Sequence, residues 1–412
     1  MHIHNQRRAT AYLLVLVAVL VTVSIGVTAT MVHKVRRERL SRAWEIERAH
    51  QIAQAGLELS VAYLQSDQSW RTLRGLGVWI NNAPLLDGTV TVTASDPDGS
   101  ATDDPADDIT LTSEGRFGKA RQVITATFEP LPVAMNSLNY AASAGDAIGF
   151  NGTLNATESV AANGATTALL ANVFTPVYAG ATISGTTYRR ATYPNAGARQ
   201  HPNPATVFDW YIANGTTISF ASLASGVLER VVLAPNHNPF GATNPHGIYV
   251  IDCAGSNIRI RNCRIEGTLV LLNTGTSSDI QQSVNWKPAA ARMPALLVRG
   301  RIAIELSATA LSESTHNTNF NPSSAPYNGQ SDNDRTDSYP SQLHGLVYAS
   351  DDIAARGNSA VTGPLIAADD IAFAGTVTIT HDAGPASLPP PGFISRYNMR
   401  LKAETLARVV GD

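Results

Sequence analysis

An uncharged apolar run near the N-terminus constrains this chain more than any other feature. It extends from Ala11 to Met31 and contains no Asp, Glu, Lys or Arg. A helix of this length covers about 30 Å, the thickness of the hydrocarbon core of a bilayer. Its serine and threonines are compatible with lipid because their hydroxyls can bond to the helix backbone. We therefore predict a membrane-spanning helix over residues 11–31, with a cleaved secretory signal as the alternative.

The helical pattern continues beyond the apolar run. Helix-forming residues follow to about Leu64, and no proline occurs before Pro84. We predict one helical region over residues 1–68, whose second half is amphipathic. A small-residue seam runs along this half and consists of Ala49, Ala53, Gly56 and Ser60. Such a seam allows close approach, either of the chain's own sheet or of a helix from another subunit.

The segment Ala49–Ser60 reads Ala-His-Gln-Ile-Ala-Gln-Ala-Gly-Leu-Glu-Leu-Ser and follows a basic leader, an apolar helix and an Arg/Glu-mixed stretch. This N-terminus, about residues 1–65, resembles pilin-like pilus assembly proteins of the PilX type. The resemblance implies a single-pass protein of a bacterial cell membrane. It also implies contacts with other pilin-like subunits through the small-residue seam.

Two features of the sequence favour opposite orientations of the chain in the membrane. Basic residues are denser after the apolar run than before it, which by the positive-inside rule places the C-terminal part in the cytoplasm. They are Lys34, Arg36, Arg37, Arg39 and Arg42. The pilin-like resemblance and the composition of the remaining chain favour a C-terminal domain outside the cytoplasm, which is the orientation we expect.

Three segments with alternating apolar and polar residues follow residue 69. They are Gly88–Ala94, Ile109–Ser113 and Gln122–Phe128, and they predict a small antiparallel sheet over residues 69–132. The loop Ser95–Asp108 between the first two contains six aspartates. Carboxylates can hold Ca²⁺, but this spacing does not form a complete calcium-binding loop. We favour a solvated acidic loop and keep a Ca²⁺ site as the alternative.

An 18-residue repeat characterises the C-terminal part. Gly345–Gly357 aligns with Gly363–Gly375, and Ala142–Gly152 and Asn257–Gly267 resemble them more weakly. One copy cannot bury its apolar residues, whereas stacked copies build a continuous core. We predict a mainly β fold in which residues 133–386 form a right-handed parallel β-helix. An antiparallel β-sandwich is the alternative.

Two insertions and a tail depart from the repeat. Ser312–Gln342 and residues from about Thr187 to Thr206 are predicted to be loops. Residues 387–412 are predicted to form a tail that caps the open end of the β-helix. The aromatic cluster Phe208–Ile212 predicts a strand whose rings pack under a loop, with a carbohydrate or protein contact as the alternative.

Few residues suggest chemistry. Four aspartates recur at turn positions of the repeat, where Asp supports the backbone through hydrogen bonds; they are Asp351, Asp352, Asp369 and Asp370. An acid–base pair acting on a glycosidic bond, or a cation site, is the alternative. His237 and His246 lack a zinc-binding spacing. We assign no catalytic, cofactor-binding or metal-binding residue, and no cofactor.

Charge and cysteine content narrow the class of protein further. The net charge of −3 gives no electrostatic reason to bind nucleic acid. Cys253 and Cys263 are expected to form either one disulfide or two buried thiols. We expect a membrane-anchored structural protein of the cell envelope, either a minor pilus component or an adhesin with a polysaccharide or protein ligand. A membrane-tethered, carbohydrate-active β-helix enzyme is the alternative.

Overall fold

The computed structural model describes residues 3–102 and 104–409 and divides into two compact units. One unit runs to Leu131 and resumes at Tyr397; the other spans Pro132–Arg396. The chain is mainly β, with one long apolar helix at its N-terminus and several sheets. The expected fold class is confirmed at this level. Each unit is described separately below.

The N-terminal helix α1 spans Ile3–Ser66 without interruption, about 95 Å at the ordinary helical rise. A short helix α2 follows at Trp70–Leu73. The predicted single helix is confirmed. From Tyr12 to Trp44 its side chains are exposed, whereas Ala49, Ile52 and Ala53 are wholly buried. The helix therefore has a free apolar half and a packed half.

An antiparallel sheet receives the packed half of α1. Its first four strands are β1 (Gly77–Leu85), β2 (Gly88–Ser95), β3 (Ile109–Phe117) and β4 (Ala120–Ala134), each paired with the next. The three predicted strands are confirmed and are longer than expected. The sequence pattern missed β1, whose pairing with β2 is interrupted by two register shifts. Alternate side chains of β3 and β4 face the helix and form a core with Ala53, Leu57 and Leu64.

The second unit begins with many short strands. In chain order they are β5 (Ala142–Ala144), β6 (Ile148–Ala156), β7 (Val160–Ala162), β8 (Thr166–Ala168), β9 (Asn172–Val173), β10 (Val177–Ala179), β11 (Ile183–Ser184), β12 (Thr192–Tyr193), β13 (Thr216–Thr217), β14 (Val227–Glu229), β15 (Val232–Leu233), β16 (Ile248–Asp252), β17 (Arg259–Glu266), β18 (Thr268–Leu272), β19 (Asp279–Lys287), β20 (Leu296–Val298), β21 (Ile302–Leu306), β22 (Leu311–Ser312), β23 (Ser338–Tyr339), β24 (Gln342–His344), β25 (Val347–Ala349), β26 (Ile353–Ala355), β27 (Ala360–Thr362), β28 (Leu365–Ala367) and β29 (Ile371–Thr380). The short helices are α3 (Asp209–Asn214), α4 (Glu313–His316) and α5 (Gly384–Ser387), with 3-10 turns at Asn136–Asn139, Phe220–Ser222 and Ala224–Gly226.

Most of these strands belong to two parallel sheets that alternate along the chain. The first sheet has ten strands in the order β12-β10-β7-β5-β28-β25-β20-β18-β16-β13, and the second has thirteen. Val347 pairs with Leu365 and Ile353 with Ile371, so the 18-residue repeat in the sequence is the register between neighbouring strands. All pairing within these two sheets is parallel among the described residues, so the antiparallel sandwich is wrong for this unit.

The strand order does not follow the chain order. The first strand, β5, lies in the middle of its sheet beside β28, one of the last. From β5 the chain adds β7, β10 and β12 towards one edge. It then passes to β13 at the opposite edge and returns strand by strand to β28. The weak repeat at Ala142–Gly152 thus pairs directly with the repeat that begins at Gly363.

The chain segment that connects β12 to β13, at opposite edges of the first sheet, includes helix α3. Phe208 and Tyr211 of this segment are buried against Val250, Leu297 and Tyr348, which come from different strands of the first sheet. The opposite faces of these strands belong to a separate core that also contains residues of the second sheet. Strands buried on both faces read as continuous apolar runs, as residues 269–272 do. The strand predicted over Phe208–Ile212 is wrong, because Asp209–Asn214 is helical.

The insertion Ser312–Gln342 is not a plain loop. Strands β22 and β23 pair within it, and α4 lies between them. Phe320 and Tyr339 are buried in a small core with Val232 and Ala234. The predicted loop is thus an ordered lobe, and we call residues 311–342 the insertion lobe.

The C-terminal tail forms two strands, β30 (Ile394–Leu401) and β31 (Ala407–Val409). Both belong to the antiparallel sheet of the first unit, where β31 pairs with β4. Arg408 stands opposite Ile124 in this pairing. The tail was expected to cap the repeats, but the structure instead adds it to the sheet that packs on α1.

Candidate membrane and assembly surface

The exposed half of α1 is a long, mainly apolar surface without protein packing from Tyr12 to Val35. Leu13 and Leu20 are 68% and 64% exposed, and the apolar side chains between Tyr12 and Val35 are similarly free. Among the described residues, α1 is the one helix long and apolar enough to span a membrane. Soluble proteins rarely expose apolar patches of this size, which mark membrane or protein contacts.

The polar side chains of this segment are satisfied by the helix itself. The hydroxyl of Thr22 donates to the carbonyl of Ala18 at 2.7 Å, and that of Ser24 donates to Leu20 at 2.8 Å. Thr28 donates to Ser24 in the same way. Hydroxyls bonded to the preceding turn do not need water, so the segment presents an apolar exterior. These hydroxyl-to-backbone hydrogen bonds were expected from the sequence of residues 11–31.

A charged stretch follows the apolar segment. Arg36, Arg39 and Arg42 are exposed, as are the neighbouring basic residues of α1. Towards the sheet, Glu45 accepts a bond from the backbone N–H of Lys119 at 3.3 Å. Trp44 packs edge-on against Phe117, with ring centroids 4.9 Å apart. The transition from free helix to packed helix therefore lies near Trp44.

The small-residue seam lies against the chain's own sheet. Ala49, Ala53 and Ser60 have no exposed surface. A Cβ atom on Gly56 would lie 2.3 Å from Val90 Cγ2, and one on Gly115 would lie 2.2 Å from the carbonyl oxygen of Ala49. The helix approaches β2 and β3 this closely only because glycines stand at both contacts. Of the two partners that the sequence left open for this seam, the structure has the chain's own sheet. The expected contact with other subunits through these residues is corrected, because they are already buried within the chain.

The repeated aspartates do come together. Asp146, Asp369 and Asp370 each bring one carboxylate oxygen within 4.8 Å of the others, and so do Asp351, Asp352 and Asp369. Burial raises the pKa of Asp352 and Asp369, and the neighbouring carboxylates add to the effect. The group is therefore a concentration of negative charge at one set of turns.

Hydrogen bonds give these aspartates a role in strand register. Asp370 Oδ1 accepts from the backbone N–H of Ala147 at 2.8 Å, and Asp352 Oδ1 accepts from that of Asp370 at 3.4 Å. Arg301 lies 3.4 Å from Asp351 and 3.1 Å from Asp352. The backbone bonds link neighbouring repeats rather than closing each aspartate's own turn. The acid–base pair remains a hypothesis.

The acidic loop also brings carboxylates together. Asp96, Asp98 and Asp107 offer oxygens within 4.8 Å of one another. Burial of its side chain raises the pKa of Asp96, and Arg71 lies 4.0 Å from it. Asp103, one of the six predicted carboxylates, lies outside the described residues. Calcium binding in this loop stays a prediction.

The two cysteines are separate buried thiols. Cys253 and Cys263 are wholly buried in the core between the parallel sheets and are not bonded to each other. Burial raises the pKa of Cys253 to about 12 and raises that of Cys263 as well. Of the two expected arrangements, the structure has the buried thiols. Neither sulfur is activated for nucleophilic chemistry.

The remaining candidates serve the fold. Tyr211 donates its hydroxyl to the carbonyl of Pro391 at 2.9 Å, and its ring is buried. His237 is 2.7 Å from the hydroxyl of Ser324, so it contacts the insertion lobe. No group of three metal-ligating residues among the described residues contains a histidine.

Comparison with known proteins gives limited similarity. No family model matches the chain, and no curated protein matches it. The competence-associated pilin ComZ from Thermus thermophilus aligns over 88% of this chain and 97% of its own, with 12% identity and a TM-score of 0.38. An ice-binding protein from the Antarctic ascomycete Antarctomyces psychrotrophicus aligns over 60% of this chain and 97% of its own, with 11% identity and a TM-score of 0.27. Both TM-scores are too low to establish a shared fold.

Proposed function

We propose that this chain is a single-pass, membrane-anchored structural protein of the cell envelope, with the N-terminal half of α1 in the lipid. One observation carries the proposal. A single unbroken helix has an uncharged, exposed apolar segment from Tyr12 to Met31 and a second half packed on the antiparallel sheet. The first half is long enough to cross a bilayer, and its hydroxyls are internally bonded.

We propose further that the chain is a pilin-like subunit, either a minor pilus component of the PilX type or an adhesin. Support comes from the long helix, the sheet packed on its second half, and the N-terminal resemblance. Because the small-residue seam is buried, contacts with other subunits would use the exposed apolar segment of α1 instead. The same surface would face lipid before assembly and neighbouring helices after it.

For the second unit we propose a right-handed parallel β-helix that presents a rigid, repetitive surface to a polysaccharide or protein. Its support is the alternation of strands between two parallel sheets and the register of 18 residues between Val347 and Leu365. A rigid surface of this kind suits display rather than catalysis.

Membrane fractionation tests the anchor. The full chain should stay with membranes after washing with high salt and with alkaline carbonate. A double variant Leu16→Arg, Leu20→Arg should move to the soluble fraction, since each arginine at a helix centre costs about 2.5–3.5 kcal/mol on insertion. The matched control is Leu170→Arg, Leu388→Arg, which changes two exposed leucines of the second unit. Release of the unaltered chain by salt alone would contradict the proposal.

Protease treatment of intact cells tests the location of the second unit. We propose that it lies outside the cytoplasm. Arg335 is exposed in the insertion lobe, so trypsin should cut there in intact cells. Cleavage only after lysis would place the unit in the cytoplasm, as the basic residues following the apolar run predict.

A further inference from the structure

The insertion lobe contains a carboxylate that is fully buried. Glu313 has no exposed surface. It accepts hydrogen bonds from the backbone N–H of Phe320 at 2.5 Å, the hydroxyl of Tyr339 at 2.9 Å and the N–H of Asp337 at 3.2 Å. None of the ion pairs among the described residues includes it. A buried carboxylate is costly unless a positive charge compensates it.

The arginine that interacts electrostatically with Glu313 makes its direct contacts elsewhere. Arg264 is close enough to Glu313 for a weak electrostatic interaction. Its guanidinium, however, donates to the carbonyl oxygens of Ala325 and Pro326 and lies 3.5 Å from Glu266. The charge of Glu313 is therefore not neutralised by direct contact with a basic side chain.

Further acidic groups surround the same point. One oxygen from each of Glu313, Asp332 and Asp334 lies within 4.8 Å of the other two. Ligands on opposite sides of a Ca²⁺ ion are about 5 Å apart, since each lies about 2.4 Å from the metal. The three oxygens are thus spaced as they would be around one such ion. Asp337 is linked to the group through the side chains of Asn321 and Tyr339.

Asn321 provides an independent indication of a ligand. It is 3% exposed, and its Nδ2 donates to Asp332 at 3.3 Å and to Asp337 at 2.9 Å. Its Oδ1 is buried and has no hydrogen-bond partner. A buried acceptor without a partner carries a desolvation cost. A half-turn of the amide exchanges Oδ1 with Nδ2 and turns the oxygen towards the carboxylates. That orientation is favourable only with a cation between them.

We propose that the insertion lobe binds one Ca²⁺ ion through oxygens of Glu313, Asn321, Asp332 and Asp334, with Asp337 completing the site. The ligands are carboxylates and an amide, with no sulfur or imidazole, which selects a hard cation. Ca²⁺ accepts a set of side-chain oxygens in flexible geometry, whereas Mg²⁺ demands an octahedron and retains water. The ion would fix the lobe by joining α4 to the segment between Asp332 and Asp337.

Calorimetric titration of the full chain in detergent, after removal of metal with EGTA, tests the site. On titration with calcium chloride, the chain should bind Ca²⁺, and one of the bound ions per chain should belong to the insertion lobe. Asp334→Asn keeps the oxygen that accepts from Thr336 and changes an exposed residue, so this variant should fold. The Asp334→Asn change should lower the Ca²⁺ affinity by at least about 10- to 100-fold, which is the loss typical when a residue that only supports a metal ligand is removed. Glu313→Gln should do the same, but it alters a buried group.

Asp98→Asn is the matched control because it changes an aspartate in the acidic loop of the other unit. It should leave the lobe's binding unchanged. Trypsin supplies a second readout: Ca²⁺ should slow cleavage after Arg335 but not after Arg292, which is exposed outside the lobe. Absence of saturable Ca²⁺ binding, unchanged binding in Asp334→Asn, loss of binding only in Asp98→Asn, or equal affinity for Mg²⁺ would each overturn the proposal.

Discussion

The hydroxyl of Ser113, on β3, donates a 2.6 Å hydrogen bond to the backbone carbonyl of Ala53 in the packed half of α1. Both residues are wholly buried. A carbonyl in a helix interior is already used within the helix, so this second bond requires the sheet to lie directly against the backbone. The contact explains why the small residues Ala49, Ala53 and Gly56 stand where α1 lies closest to β2 and β3.

Because α1 lies very close to β3 at Gly115, we predict that a larger residue at this position lowers the stability of the first unit. Gly115→Val should separate α1 from β3, because even a Cβ would lie 2.2 Å from Ala49 O and 2.5 Å from Ala53 N. Overpacking of this kind costs about 1–3 kcal/mol or more. Calorimetric unfolding of the full chain in detergent should give a lower transition temperature for the first unit. Gly149→Ala, where no atom lies within 4 Å, is the control, and an equal effect of both changes would contradict the packing described.

The insertion lobe should depend on Arg264. This residue is 1% exposed, and its guanidinium binds two lobe carbonyls. Arg264→Met leaves those carbonyls unpaired and Glu266 without one of its two basic neighbours, and should cost about 3–5 kcal/mol. Hydrogen exchange of residues 325–339 should accelerate. Arg259→Met, which removes an exposed pair with Asp279, should cost about 1 kcal/mol or less; unchanged exchange in Arg264→Met would refute this role.

The buried thiols predict an absence of alkylation in the folded chain. The pKa of Cys253 is raised to about 12 by burial, and that of Cys263 is raised too. The reactive thiolate is therefore scarce near neutral pH, and both sulfurs are inaccessible. Iodoacetamide should modify neither cysteine in the native chain and both after denaturation without reductant, as measured by intact mass. A chain that needs reductant before either cysteine reacts would instead contain a disulfide.

The aspartate group should make stability depend on pH. The pKa of Asp369 is raised, first by burial and then by Asp370 and Asp352, so the folded chain holds this proton more tightly than the unfolded chain. Stability is therefore lost as the pH rises from the ordinary aspartate value, about 3.9, through the raised value. Asp369→Asn should raise the unfolding temperature of the second unit at neutral pH and have little effect below that interval. The control is Asp87→Asn, an exposed aspartate paired only loosely with Arg48.

Several parts of the fold were predictable because they depend on neighbours in sequence. The repeat at Gly345 and Gly363 gave the register directly, since equivalent positions in stacked strands are neighbours. The alternation in Gly88–Ala94 was equally local. The pairing of β5 with β28 was not predictable, because it joins segments about 220 residues apart and leaves no period in the sequence. The addition of β31 to β4 escaped prediction for the same reason.

The candidate sites divide in the same way. The small-residue seam was identified from spacing, but the spacing left its partner open, because small residues allow close approach by a sheet as well as by a helix. The carboxylates of the insertion lobe were missed. The sequence signal for them was the spacing of Asp332, Asp334 and Asp337 within a polar segment. This spacing alone does not predict a cation site, because the site also needs Glu313 and Asn321, which only the folded chain places beside these aspartates.

Depth measurement in a bilayer tests the membrane anchor most directly. A fluorophore on Leu20→Cys or on Arg42→Cys can be placed specifically, since the native cysteines are buried. In vesicles with brominated acyl chains, we predict strong quenching of the label at position 20 and little at position 42, with the reverse order for aqueous iodide. Equal quenching of both labels by iodide would contradict the account.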